Sequence, residues 1–142
     1  DEIARVGGAT APDTVLHVDL AGRNPDDGMT EIPYEKGAAL LKLLERTVGR
    51  PQFDAYLRSY FERHAFKPIT TASFLEDVRT NLLRGDEGLE AKLKLEEWLY
   101  KPGLPDNAPV PSSNALQLVE QQAKAFAGGS PASAIKADAW TT

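Results

Sequence analysis

Tyr34 is the residue best placed by its neighbours to do chemistry. It follows Pro33 in the run Ile32-Pro33-Tyr34-Glu35-Lys36-Gly37, and proline, with its fixed φ and missing N–H, suits the first turn of a helix. A phenol is neutral near pH 7 and can donate a hydrogen bond to developing negative charge. Composition alone favours a tyrosine that merely packs and leaves its hydroxyl to water. Glu35 and Lys36 could bond to the helix start or to solvent. The other candidates are weaker. His17 and His64 lie 47 residues apart, whereas a His-Glu-x-x-His zinc site needs two histidines one helical turn apart. His64 reads instead as a cation at a helix end, and His17 as a half-buried strand residue. The chain has no cysteine, which excludes a thiolate nucleophile, cysteine-ligated metal and disulfides; no Gly-x-Ser-x-Gly elbow occurs. The pairs Asp26-Asp27 and Glu96-Glu97 read as solvated surface.

The elements that must position these groups are helical. A short helical tail, Glu2 to Val6, stops at Gly7-Gly8. Thr14 to Leu20 alternates in polarity, which predicts a short extended segment. The turn Asn24-Pro25-Asp26-Asp27-Gly28 delivers the chain to Pro33. A first long helix is expected from about Pro33 to Val48, with Leu40, Leu41, Leu44 and Val48 inward. Gly49 and Pro51 end it and start a second helix, which carries Phe53, Tyr56, Leu57, Tyr60 and Phe61 on one face. The short link implies neighbours packed side by side. Thr70 or Thr71 caps a third helix over residues 72–83. Gly85 to Gly88 interrupts, and a fourth runs from about Leu89 to Trp98. Four prolines between Pro102 and Pro111 predict a semi-rigid linker. Ser112 or Ser113 caps a fifth helix, Asn114 to Phe126, and Ala132 to Ala139 is weakly helical. The fold class is therefore all-α, a bundle of about five helices, with no internal repeat.

Composition sets the outer bounds. At 142 residues a compact chain buries about 70% of its unfolded surface, enough for a core. The net charge of −5, without long blocks of either sign, argues against a nucleic-acid partner. No apolar run approaches the roughly 20 residues that span a bilayer. A cytoplasmic protein is expected, with a secreted or periplasmic one left open. The chain does not begin with Met, and it reads as a segment of something longer.

Three stretches in order carry a resemblance: Tyr34-Glu35-Lys36-Gly37 before a leucine-rich helix, Pro68-Ile69-Thr70-Thr71, and Trp98-Leu99-Tyr100-Lys101-Pro102-Gly103-Leu104-Pro105. Together they resemble the aminopeptidase-N-type zinc peptidases, peptidase family M1, and most of all the leukotriene A4 hydrolase branch. The resemblance runs from about Val15 to about Pro109. It implies that residues 1–105 are the helical second half of a catalytic domain, 106–111 a proline-rich linker, and 112–142 the start of a truncated carboxy-terminal helical domain. It further implies that Tyr34 takes the place of the family's tyrosine that donates to the oxyanion formed at the scissile carbonyl. Asp26 takes the acidic position that directs water in the epoxide-hydrolase branch, and Glu35 adjoins the substrate site. That branch's second tyrosine falls at Met29, so lipid epoxide hydrolysis is not expected and aminopeptidase activity is. The zinc motif is absent from the chain. Zinc would be held by ligands elsewhere in the parent protein, none would be bound here, and the chain alone would be inactive. The implied partners are a peptide substrate and the remaining lobes of the parent, with no membrane, and self-association of the isolated chain is left open. A non-catalytic helical interaction module is the alternative.

Overall fold

The computed structural model describes residues 2–28, 30–110 and 114–136. It forms two compact units, one ending at Pro109 and one beginning at Val110. Among the described residues the regular structure is helical, with no strand: α1 (Glu2–Arg5), α2 (Ile32–Val48), α3 (Arg50–His64), α4 (Thr71–Asp77), α5 (Glu87–Leu93), α6 (Leu95–Tyr100) and α7 (Asn114–Ala127).

In the first unit α2 and α3 are separated by Gly49 alone. Its φ of +85° is open to glycine and strained for other residues, and its N–H caps α2 by donating to the Glu45 carbonyl at 2.8 Å. The chain reverses there. Leu40 and Leu44 of α2 meet Phe53 and Tyr56 of α3 in a core completed by Leu75, Val78, Leu82, Leu83, Leu93, Leu95, Trp98 and Leu99. Each leucine withdrawn from water stabilises the fold by about 1.5–3 kcal/mol. Thr70 caps α4, its hydroxyl oxygen accepting from the Ser73 N–H at 3.1 Å.

Three elements differ from expectation. The helix expected over 72–83 is α-helical only to Asp77; Val78–Leu82 widens to a π turn in which the Leu83 N–H donates to the Val78 carbonyl. The wider turn puts both Leu82 and Leu83 inside. The helix expected over 89–98 is broken at Lys94, whose φ of +53° is left-handed. Long-range bonds hold that break: the Lys94 ammonium pairs with Asp106 at 2.6 Å, and the Asn107 amide donates to the carbonyls of Lys92 and Leu93. Asn107 also accepts from the indole N–H of the fully buried Trp98 at 3.0 Å. Asp106 and Asn107 thus belong to the first unit, tied to α5, α6 and the break between them. The stretch expected to extend from Thr14 to Leu20 begins in a single helical turn, Pro12–Thr14, and continues without a ladder partner, tethered by the His17 N–H to the Leu99 carbonyl at 2.8 Å.

The second unit contains α7 and a short turn at Ala132–Ala134. The expected caps Ser112 and Ser113, and the end of the weakly helical stretch, lie outside the described residues.

Candidate functional site

The first turn of α2 is set by two buried side chains spaced one turn apart, Ile32 at 2% exposure and Lys36 at 3%. They continue the inward line of Leu40 and Leu44. Tyr34 lies midway between them in sequence and so emerges on the opposite side of the helix, 66% exposed. Its own N–H and that of Glu35 donate to the Glu31 carbonyl at 3.1 and 2.9 Å, while the Ile32 N–H donates to the Thr30 hydroxyl. Glu35 is exposed beside it. Asp26 is exposed within the turn Pro25–Gly28, where its N–H donates to the Asn24 side chain at 3.2 Å. Met29 lies outside the described residues.

Lys36 is the finding that sequence reasoning passed over. Its ammonium donates to the carbonyls of Thr14 at 3.1 Å and Lys101 at 2.8 Å, and burial lowers its pKa to about 8. The fully buried Thr14 extends the arrangement. Its hydroxyl donates to the Ala11 carbonyl at 2.6 Å and accepts from the Gly103 N–H at 2.7 Å. Gly103, at φ +71°, packs so tightly that a Cβ there would sit 2.6 Å from the Ala9 carbonyl oxygen. One signal was available: counting back by fours from Leu44 and Leu40 lands on Lys36.

Beside the segment leading into α2 lies a groove of about 300 Å³, lined in part by Asp13, His17, Arg23, Thr30 and Tyr100. Its charges are partly matched internally, since Arg23 pairs with Asp13 at 3.2 Å. His17 is exposed rather than half-buried in a strand, with Nδ1 3.0 Å from the Thr71 hydroxyl and its ring 5.2 Å from that of Tyr100. His64, at the end of α3, bonds the buried Asp77 at 3.0 Å alongside the Arg63 guanidinium at 2.7 Å. Burial alone would raise the Asp77 pKa, but the hydrogen bonds from Arg63 and His64 outweigh it and hold it below the ordinary value. Glu96 and Glu97 serve surface ion pairs with Arg79 and Lys101. Among the described residues no group of three or more histidine, aspartate or glutamate side chains is arranged to hold a metal. The two histidines are bound to Thr71 and Asp77.

A family model described as the peptidase family M1 domain matches residues 11–96. The chain belongs to peptidase family M1. It is 33% identical over 115 residues to leucine aminopeptidase 2 of Lodderomyces elongisporus, which covers 78% of this chain and 18% of that protein. It is 37% identical over 107 residues to leucine aminopeptidase 2 of Coccidioides immitis, covering 74% and 17%. A leukotriene A-4 hydrolase homolog of Botryotinia fuckeliana is 39% identical over 95 residues, 65% of this chain and 15% of that protein. The chain thus spans less than a fifth of the length of these relatives. The M1 family is generally zinc-dependent, and the relatives are named as peptidases or as a hydrolase homolog. No described helix is long and apolar enough to cross a membrane.

Proposed function

We propose that this M1 stretch forms one wall of the active site of a zinc-dependent aminopeptidase that removes amino-terminal residues from peptides, and that Tyr34 is its oxyanion donor. The observation that carries the reading is the exposure of Tyr34 on a helical turn whose neighbouring inward positions, Ile32 and Lys36, are both buried. Zinc would be held by ligands outside this chain. When water adds to the scissile carbonyl, its oxygen becomes an anion, and the Tyr34 hydroxyl donates to it while keeping its proton. The bond strengthens as charge develops, so it favours the transition state over the bound peptide. A rigid turn matters because a donor that must be reoriented during reaction loses much of its value.

Asp26 and Glu35, both exposed near the start of α2 in sequence, are proposed contacts to the polar parts of the substrate. The chain alone is inactive on this reading. In the complete enzyme Tyr34→Phe, which removes only the hydroxyl, lowers kcat by about a hundredfold or more with KM nearly unchanged. An unaltered kcat overturns the role.

A further inference from the structure

We infer that Lys36 is a positioning residue for Tyr34: its ammonium, clamped between the Thr14 and Lys101 carbonyls, fixes the tilt and depth of the turn that carries the tyrosine. This inference rests on the oxyanion reading of Tyr34 and deepens it.

The geometry is that of a knot joining three separated pieces of chain. Lys36 ties the first turn of α2 to Thr14, 22 residues earlier, and to Lys101, 65 residues later. Thr14 in turn ties the Lys101–Gly103 loop to the Ala11 carbonyl, through the Gly103 N–H and its own hydroxyl. Gly103 has no room for a side chain against Ala9, so the loop is seated from both sides. At the start of the α2 turn the Glu31 side chain makes no cap and Pro33 contributes no N–H, leaving the Thr30 hydroxyl to accept from the Ile32 N–H. Ile32 anchors one point of the turn; Lys36 supplies the second, one turn on, and two points define a direction. Tyr34 projects from between them on the far side, where a long side chain magnifies any tilt of the helix start.

Burying a cation is costly, as its lowered pKa attests, and a methionine would avoid that cost only by leaving the Thr14 and Lys101 carbonyls without the donor they now have. What the ammonium adds is direction: three donors on one atom, meeting two carbonyls that only the native arrangement brings together.

The test is a cycle of variants in the complete enzyme: wild type, Lys36→Met, Tyr34→Phe and the double variant. If Lys36 acts through Tyr34, Lys36→Met lowers kcat by about tenfold or more with Tyr34 present and by less than about twofold in the Tyr34→Phe background. Equal losses in both backgrounds overturn the positioning role while leaving the oxyanion reading intact. If instead Tyr34→Phe alone costs nothing, the oxyanion reading fails and the positioning role falls with it. A second readout is independent of activity. Amide hydrogen exchange at Tyr34 and Glu35, whose N–H groups both donate to Glu31, accelerates in Lys36→Met by about tenfold, while Tyr56 within α3 is unaffected. Unchanged exchange at both amides refutes the clamp. Should Lys36→Met fail to fold, Thr14→Val cuts the knot at its other end. It is expected to show the same dependence on Tyr34, and a loss equal in both backgrounds contradicts the inference.

Discussion

Replacing Thr14 by valine isolates the polar knot from everything around it. The two side chains have nearly the same shape, so no cavity opens, and the change is confined to one hydroxyl that is fully buried. That hydroxyl donates to Ala11 at 2.6 Å and accepts from the Gly103 N–H at 2.7 Å. Each bond contributes about 1 kcal/mol net, and a buried group left without a partner costs about 1–3 kcal/mol. Gly103 is itself buried, and a valine methyl group fills the place where water could replace the lost acceptor. The expected loss is therefore about 2–4 kcal/mol. Urea unfolding followed by circular dichroism measures it, with Thr14→Ser as the companion that keeps the hydroxyl and surrenders only a methyl group, at about 1 kcal/mol. If Thr14→Val unfolds within about 0.5 kcal/mol of wild type, or if serine is as damaging as valine, the knot is not held by these bonds.

Two further outcomes follow from the same structure. Gly103→Ala places a Cβ 2.6 Å from the Ala9 carbonyl oxygen at a φ of +71°, and is expected to cost more than about 2 kcal/mol by the same unfolding assay; a neutral result contradicts the packing there. Asp77 is held below its ordinary pKa of 3.8, so the unfolded chain binds its proton first as pH falls. Stability from this group is present above that ordinary value and is lost as pH drops through the lower folded value, and Asp77→Asn should flatten the acid limb of the urea midpoint below about pH 4.

The long helices were legible because their signals are local. Leu40 and Leu44 recur at helical spacing, Pro33 and Pro51 mark the starts of α2 and α3, and Gly49 marks the turn between them. The Thr70-Thr71 pair likewise announced a cap, and Thr70 is the one that makes it. The departures come from partners distant in sequence. Nothing near Lys94 breaks a helix; the left-handed residue there is held by Asp106 and Asn107, whose docking no local rule anticipates. The π turn after Asp77 answers the need to bury both Leu82 and Leu83 against other elements. In the candidate site, the placement of Tyr34 on the first turn was readable from Pro33, whereas the clamp beneath it was not. A lysine is ordinarily solvated, and only the carbonyls of Thr14 and Lys101, brought in from both ends of the unit, make a buried one tolerable.

The central claim is that the Tyr34 hydroxyl contributes to the transition state and not to the bound peptide. The most direct measurement compares Tyr34→Phe with wild type, in the complete enzyme, for two ligands: a phosphinic peptide whose tetrahedral centre mimics the oxyanion, and an unreactive peptide with a planar amide. The account predicts that affinity for the tetrahedral ligand falls by about a hundredfold while affinity for the planar one stays within about twofold. Equal effects on the two ligands, or no effect on either, would contradict it.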